Sequence, residues 1–393
     1  MRRLGLSLLV LLLSGVSWAS PASSAEPTQH VVQAGAIHPT DPVAPYEFTR
    51  YYPERLKVHR GDTVRFDLVG FHTVTFFGPE GRAPFVRPDE APGSFVTDER
   101  WALSTCGRDS APACVLTGDD RFLSSGVPFV LEDGPFRLGI DAPTGVYRFN
   151  CTVHPSMEGQ LEVVDDAVPL PSAASIASQR AEEIAQDAAA ADAFVERQEP
   201  RSDTVAGRRV WQVNVGGSTP DNHVAILSYL GLPDVVEPDD AVHFAPPPGV
   251  VDEVHTVTFP GQAVGGFTPV PTGLGGFGFY AQCDLDSRTS GLSGIPGPWY
   301  AVTPTKCPVN VELGLGPWMI DATRAPGDEV RPGTYHDSAM LVPQDAPDEI
   351  RELPRGSGRR FASSFDAVFP VAGEYTFACN VHPDFMKGAV RVG

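Results

Sequence analysis

Positive charge is scarce in this sequence. Apolar runs are also scarce: the strongest one lies at the start of the chain and is short for a membrane span, and no later run approaches that length. The 29 Lys and Arg residues are outnumbered by 49 Asp and Glu residues, so the formal net charge is -20 at pH 7. Such a chain repels phosphate backbones and anionic lipid surfaces, which excludes nucleic acid and acidic membranes as partners. The acidic surface fits two interpretations, general solubility and the steering of a basic partner protein.

The start of the chain carries the one strongly apolar run. Residues 1–14 begin with Arg2 and Arg3 and continue with leucines, and small residues follow at Ala19 and Ala25. A basic start, a short apolar run and small residues at a cleavage point are typical of a secretory signal peptide. We therefore expect a signal peptide over residues 1–25, a secreted or periplasmic protein, and no integral membrane segment once the signal is removed.

The chain has only 6 cysteines. Two of them lie in segments with similar sequences, residues 145–159 and 373–388. In both segments apolar residues alternate up to the cysteine, Cys151 or Cys379, which is the period of a strand with one buried face. The thiol should therefore point inward. Each strand then enters a short loop that carries one histidine and one methionine, which are His154 and Met157 in the first copy and His382 and Met386 in the second.

A second histidine precedes each of these segments within the repeated tetrapeptide His-Thr-Val-Thr, at His72 and at His255. Two imidazoles, one thiolate and a weak axial thioether make up a blue-copper electron-transfer site. We therefore predict two type 1 copper sites per chain. Their ligands would be His72, Cys151, His154 and Met157 in the first half, and His255, Cys379, His382 and Met386 in the second half.

On these motifs, both halves resemble the plastocyanin/amicyanin type of cupredoxin. The first Cys-x-x-His-x-x-Met spacing is similar to the short amicyanin loop, and the second loop is one residue longer before Met386. The resemblance implies a Greek-key β-sandwich with one upstream histidine and three ligands on a C-terminal loop. It also implies that His154 and His382 lie nearest the surface as the electron port. Thr73 and Thr256 would form hydrogen bonds that fix the ligand loops.

The fold class we expect is all-β, with two Greek-key β-sandwich cupredoxin domains joined by a helical linker. The predicted divisions are a signal peptide at 1–25, cupredoxin domain 1 at 26–168, a helical linker and hinge at 169–205, and cupredoxin domain 2 at 206–393. The alanine-rich residues 172–198 predict the helix, with Ser172 as its cap and Pro200 beyond its end. We expect this helix to pack weakly on one domain, and residues 199–209 to form a polar hinge.

The four remaining cysteines fall into one close pair per half if Cys151 and Cys379 bind copper. After export, we expect disulfides between Cys106 and Cys114 and between Cys283 and Cys307. Free buried thiols are the alternative, because connectivity does not follow from sequence alone.

Multicopper oxidases and copper nitrite reductases share the implied fold and hold catalytic copper through His-x-His pairs or a histidine beside the cysteine. This sequence has no His-x-His, and Asn150 and Ala378 precede the two cysteines. We therefore predict an electron-transfer protein with redox partner proteins, and no enzyme. Two alternatives remain. Copper could be cargo for sequestration or delivery, or a third, catalytic copper could lie between subunits at histidines such as His223 or His336.

Overall fold

The computed structural model describes residues 28–77, 86–88, 95–97, 106–107, 114–119, 122–126, 134–250, 253–260, 265–271, 277–282, 328–333, 336–338, 341–346, 361–379, 382 and 385–393. Within these residues the chain is mostly β-sheet with one helix, in agreement with the predicted all-β class.

In the described part of the chain, thirteen strands precede the helix. In chain order they are β1 (Gln29–Ala34), β2 (Tyr46–Phe48), β3 (Tyr51–Tyr52), β4 (Arg55–His59), β5 (Thr63–Leu68), β6 (Thr75–Phe76), β7 (Val86–Pro88), β8 (Phe95–Thr97), β9 (Cys114–Leu116), β10 (Leu123–Ser124), β11 (Phe136–Ile140), β12 (Gly145–Asn150) and β13 (Glu158–Val164).

The helix α1 (Ala173–Glu196) then leads to the strands of the second half. These are β14 (Arg201–Val205), β15 (Arg208–Ser218), β16 (Val224–Leu230), β17 (Val235–Val236), β18 (Ala241–Ala245), β19 (Thr258–Phe259), β20 (Gly265–Pro271), β21 (Phe277–Gln282), β22 (Asp328–Glu329), β23 (His336–Asp337), β24 (Phe365–Val368), β25 (Gly373–Ala378) and β26 (Lys387–Val392).

Ten of the described strands in the first half form two sheets with one core between them. One sheet has the order β3-β1-β5-β11-β9, and the other has the order β10-β6-β12-β13-β4. Alternate residues of these strands point inward, because successive side chains of a strand face opposite sides of the sheet. Phe66 on β5 and Phe149 on β12 meet in the core with their ring centroids 5.3 Å apart. The loop after β12, which carries His154, therefore begins at the end of a strand that packs in the core.

The second half has the same pairing order. Its central strands run β15-β18-β24 in one sheet and β17-β26-β25-β19 in the other, which correspond to β1-β5-β11 and β4-β13-β12-β6. The sense of pairing also corresponds, since β1 is parallel to β5 as β15 is to β18. Phe244 and Phe377 meet in this second core at a centroid distance of 5.2 Å.

The helix α1 begins as predicted, with the Ser172 side chain accepting a hydrogen bond from the Ser175 N–H at 3.1 Å. Its packing differs from the prediction of weak contact with one domain. Ala188 and Ala191 are buried in a third apolar cluster that contains residues of both halves, namely Ala36, Phe48, Tyr52, Val224, Ile226 and Leu230. The small alanines let strands from both sides approach the helix, so α1 joins the two halves.

Strand pairing also crosses the expected domain divisions. Strand β2, from the first half, pairs with β16 in a sheet of the second half. Where we predicted a polar hinge, at residues 199–209, β14 and β15 form a hairpin. Its turn residues Ala206 and Gly207 have φ of 52° and 82°. Two positive φ angles give the turn whose twist matches that of paired strands, so a polar hairpin replaces the hinge.

The predicted disulfide between Cys106 and Cys114 is confirmed, with the two Cα atoms 5.0 Å apart. Cys283, Cys307 and residues 1–25 lie outside the described residues, so the second disulfide and the signal peptide stay predictions. In the described part of the chain, no helix is both long and apolar enough to cross a membrane.

Candidate metal centres

The first cluster of possible metal ligands brings together His72, Cys151 and His154. His72 lies between β5 and β6, and Cys151 follows β12 directly, at the start of the loop that carries His154. The Nδ1 atoms of the two histidines are 3.0 Å apart, and Cys151 Sγ is 3.5 Å from Nδ1 of His154. All three side chains are buried. The inward alternation along β12 continues from Phe149 to Cys151 and so aims the thiol into the core.

The second cluster, His255, Cys379 and His382, has the same arrangement. Its two Nδ1 atoms are 3.2 Å apart, and Cys379 Sγ lies 4.0 Å from Nδ1 of His255 and 3.9 Å from Nδ1 of His382. Cys379 follows β25, and His255 precedes β19, the strands that correspond to β12 and β6.

Both clusters have dimensions that fit one ion. With bonds of about 2.0 Å to nitrogen and about 2.3 Å to sulfur, three donors at 120° around an ion would stand about 3.5 Å apart (N···N) and about 3.7 Å apart (N···S). The observed separations of 3.0 to 4.0 Å bracket these values. Two imidazoles and one thiolate form the trigonal donor set that copper takes in blue-copper sites.

The two predicted methionines lie next to these clusters. The Cys151 N–H donates to the Met157 carbonyl at 2.9 Å, and the Cys379 N–H donates to the Met386 carbonyl at 3.0 Å. Both methionine side chains are buried in the same apolar core as the corresponding cysteine. Each ligand loop is thus closed by a backbone hydrogen bond between its cysteine and its methionine.

The surroundings of both thiols favour the thiolate, the form of cysteine that binds metals. Burial by itself raises the pKa of Cys379, but hydrogen bonds and charge from His255 and His382 outweigh it and lower the pKa to about 5. Burial likewise opposes ionisation of Cys151, and the charge of His154 is the main factor that holds the pKa of this thiol well below its usual range.

The sulfur atoms also accept backbone hydrogen bonds. The Thr73 N–H lies 3.4 Å from Cys151 Sγ, and the Thr256 N–H lies 3.3 Å from Cys379 Sγ. The predicted loop contact of Thr73 is confirmed, because its Oγ1 accepts a 2.8 Å hydrogen bond from the Thr152 N–H. The Thr256 hydroxyl contacts the Thr258 hydroxyl at 3.2 Å, and the loop residue that corresponds to Thr152 lies outside the described residues.

A buried tyrosine in each half fixes the segment that carries the upstream histidine. Tyr51 donates its hydroxyl to the Thr73 carbonyl at 2.5 Å, and Tyr229 donates to the Thr256 carbonyl at 2.6 Å. These two tyrosines were not predicted from sequence. They lie at different distances from the repeated tetrapeptides, so only the folded sheets align them.

A glycine lies against each upstream histidine. Gly35 and Gly216 have φ of 74° and 79°, and a Cβ atom on either would overlap Nε2 of His72 or His255. Glycine is the residue that adopts this backbone conformation without steric cost. Within the described part of the chain, Nε2 of His72 and Nε2 of His255 form no hydrogen bond. Both imidazoles therefore direct Nδ1 to the cluster and Nε2 toward a glycine backbone.

The two clusters face each other across one carboxylate. Glu253 Oε1 is 2.9 Å from Nε2 of His154, and Glu253 Oε2 is 3.1 Å from Nε2 of His382. His154 is only 1% exposed. Its expected position as a surface electron port is therefore wrong, because the second half covers it. The His382 side chain is 14% exposed, so it too is mostly covered.

A second carboxylate approaches the first cluster. Glu47 Oε1 lies 3.5 Å from Nε2 of His72 and 3.9 Å from Nε2 of His154, and it accepts a 3.1 Å hydrogen bond from the Phe71 N–H. Glu47 stands on β2, the strand that pairs with the second half. It forms a third possible metal-binding group with His154 and Glu253.

The charges of these carboxylates and imidazoles support one another. Burial opposes ionisation of Glu253, but His382 and His154 hold its pKa well below the usual range. Burial also opposes protonation of His382, and the charge of Glu253 is the main factor that raises its pKa to about 10. The pKa of His154 is raised as well, mainly by the Cys151 thiolate and against the effect of burial.

Sequence reasoning missed both carboxylates, and one signal points to Glu253. It stands two residues before His255, where the first half has Gly70 before His72. The two histidines considered for a further copper site lie elsewhere. His223 contacts Asp187 and Asp221, a group that could also hold a metal ion. His336 lies on β23 and pairs with Phe259 on β19.

No family model matches this chain, and no curated protein matches it. Among solved structures, native pseudoazurin from Hyphomicrobium denitrificans matches 40% of this chain and 97% of its own, at 16% identity and a TM-score of 0.18. A copper-containing nitrite reductase from Thermus scotoductus SA-01 matches 94% of this chain and 99% of its own, at 12% identity and a TM-score of 0.22. A blue copper oxidase from Nitrosomonas europaea matches 93% and 86%, at 10% identity and a TM-score of 0.18.

Proposed function

We propose that this chain is a tandem cupredoxin that holds one type 1 copper ion in each half and transfers electrons between partner proteins. The observation that carries the proposal is the duplication of a buried donor set of two histidines and one cysteine. The two sets occupy corresponding places in two halves with the same strand order. Copper would supply one-electron redox chemistry at each set.

The residues of each set have distinct roles in this proposal. In the first half, Cys151 would supply the thiolate, His72 and His154 the imidazole nitrogens, and Met157 the thioether. In the second half the same roles belong to Cys379, His255, His382 and Met386. The different loop lengths before the two methionines favour two different reduction potentials.

Rigidity of the ligands is what the fold contributes to electron transfer. The backbone hydrogen bonds from Thr73 and Thr256 to the sulfurs hold each thiolate between two sheets. Tyr51 and Tyr229 hold the same segments from the other side. Ligands fixed in this way keep one geometry in both oxidation states, so little reorganisation accompanies the transfer of an electron.

Catalysis at a third copper is the weaker alternative. The group of Glu47, His154 and Glu253 would need Nε2 of His154, but this atom lies at hydrogen-bond distance from Glu253, 2.9 Å. An ion at this group would displace that hydrogen bond, so more than two copper ions per chain would favour this alternative.

Copper as cargo is the other alternative, and burial argues against it. His72, Cys151, His255 and Cys379 are all fully buried, so exchange of an ion with solvent would need an opening of the core. The disulfide between Cys106 and Cys114 fits an oxidising compartment, which supports the proposed extracytoplasmic location.

The proposal is tested by loading the purified protein with Cu²⁺, counting copper by elemental analysis and titrating it with a one-electron reductant. We expect two copper ions per chain, intense blue absorption, and reversible bleaching by two electrons per chain with the metal retained against a soluble chelator. Colourless copper that the chelator removes would support the cargo alternative and overturn electron transfer.

A further inference from the structure

One buried side chain contacts both candidate metal centres. Glu253 is 8% exposed, and each of its two oxygens is within hydrogen-bond distance of a different histidine, His154 at 2.9 Å and His382 at 3.1 Å. An ionised carboxylate accepts hydrogen bonds and donates none. An ionised Glu253 can therefore accept one hydrogen bond from the Nε2–H of each histidine, at the observed 2.9 and 3.1 Å.

This arrangement determines which nitrogen of each ring is free for a metal. A histidine whose Nε2–H is held by a carboxylate presents the lone pair of Nδ1 once Nδ1 is deprotonated. In both halves Nδ1 is the atom that faces the cysteine sulfur and the other histidine. One carboxylate therefore orients a ligand in each of the two centres.

We propose that Glu253 is a shared positioning residue that holds His154 and His382 in the tautomer required for metal binding and so joins the two centres into one unit. This inference rests on the proposed function, because it assumes that both clusters bind metal. The first half has no counterpart of Glu253, since Gly70 occupies the matching place before His72. The pairing of β2 with β16 and the packing of α1 against both halves bring His154 to this single glutamate.

Glutamine at this position gives the sharpest test. An amide of the same shape offers one acceptor and one donor in place of two acceptors. In Glu253→Gln one histidine keeps its partner, whereas the other faces an N–H group and must accept through Nε2, which places its proton on Nδ1 in competition with the metal. We expect one centre to lose about 10- to 100-fold in affinity while the other is retained. In Glu253→Ala both centres should weaken.

Two further variants serve as controls. Glu47→Gln removes a carboxylate from the same region. Among the described histidines, Glu47 lies near His72 and His154 of the first centre, so the second centre should be unchanged. Glu374→Gln removes a carboxylate from an exposed position on β25, and both centres should be unchanged.

The probe is Zn²⁺, a redox-inactive and diamagnetic ion. Affinities are measured by chelator competition on the full chain, and ring N–H signals are observed by ¹⁵N NMR of the Zn²⁺-loaded protein. Wild type should bind two ions and show two exchange-protected Nε2–H signals from His154 and His382. One of these signals should disappear in Glu253→Gln and both in Glu253→Ala, with circular dichroism confirming that the variants are folded.

The outcomes separate this inference from the proposed function. Failure of wild type to bind two ions, with Cu²⁺ as well as with Zn²⁺, would overturn the proposed function. Two ions in wild type, with both affinities within twofold in Glu253→Gln and Glu253→Ala, would overturn the shared positioning role alone. A third ion that is lost in both Glu47→Gln and Glu253→Gln would show a metal site between the centres and would also overturn the inference.

Discussion

The hydroxyl of Tyr52 donates a 2.8 Å hydrogen bond to the carboxylate of Asp187, and this contact ties the first half to the helix α1. Arg50, also in the first half, lies 3.2 Å from the same carboxylate, and His223, in the second half, lies 3.3 Å from it. Asp187 is buried. This cluster therefore helps to hold the two halves in the arrangement that places Glu253 between the metal centres.

The Asp187 cluster predicts loss of stability in acid. Burial by itself raises the pKa of Asp187, but His223, Tyr52 and Arg50 outweigh it and lower the pKa below its ordinary value. A carboxyl with a lower pKa in the folded state stabilises the fold at pH values above its unfolded pKa, about 4, and this contribution is lost as pH falls through the folded value. We expect Asp187→Asn to lower the free energy of unfolding by about 1 to 3 kcal/mol at pH 7. The difference from wild type should shrink below pH 4.

Urea unfolding at several pH values measures this effect. Asp166→Asn, an exposed position, is the control and should follow wild type at every pH. A difference between wild type and Asp187→Asn that stays constant from pH 7 to pH 3 would show that the charge of Asp187 does not stabilise the fold.

Substitution of Gly216 should weaken metal binding at the second centre alone. A Cβ atom at Gly216 would overlap Nε2 of His255, so Gly216→Ala should displace this imidazole and abolish or weaken binding at the second centre. Gly35→Ala should do the same to His72 and the first centre. Copper content and absorption of each variant measure the effect, and each should retain the centre in the other half.

Gly207→Ala is the matched control for backbone strain. Gly207 has φ of 82°, close to that of Gly216, but nothing lies within 4 Å of the added Cβ. Its substitution should cost about 1 kcal/mol of stability and leave both centres intact. Equal loss of copper in Gly207→Ala and Gly216→Ala would mean that strain, and not the contact with His255, causes the loss.

The hydrogen bond that Tyr229 donates beside the second centre should contribute to stability and to the copper spectrum. Tyr229→Phe removes the donor to the Thr256 carbonyl and leaves that buried carbonyl without this partner, which should cost about 1 kcal/mol. Because Thr256 N–H contacts the Cys379 sulfur, the absorption of the second centre should shift and that of the first should not.

Tyr147→Phe is the comparison for this variant. The Tyr147 hydroxyl donates to the Pro143 carbonyl at an exposed position away from both clusters, so its loss should leave both spectra unchanged. An unshifted second centre in Tyr229→Phe would contradict the proposed role of this hydrogen bond in holding the thiolate.

The residues of the two clusters could be selected from the sequence because most of each set lies in one short segment. The alternation of apolar residues before Cys151 and Cys379 indicates a strand, and the residues after each cysteine indicate a loop. Both features depend on local sequence. The repeated His-Thr-Val-Thr then identified His72 and His255. Such local patterns can be recognised without knowing how the rest of the chain folds.

The relation between the halves could not be predicted in the same way. Glu253 bonds residues 99 and 129 positions away, and its role depends on how the two halves face each other. The alanine-rich sequence of α1 indicated only weak packing, because its partners, such as Phe48 and Ile226, come from strands far apart in the sequence. The surface position expected for His154 came from the resemblance to a single cupredoxin domain, in which no second half covers the ligand loop.

The most direct measurement is the visible absorption and paramagnetic resonance of the copper-loaded protein beside Cys151→Ser and Cys379→Ser. Each variant removes one buried thiolate from one cluster and leaves the other cluster unaltered. The account predicts an intense blue band in wild type, with one contribution lost in each variant and one copper ion retained. A wild-type protein that binds copper without the blue band, or a band that both variants preserve in full, would contradict the assignment of two type 1 centres.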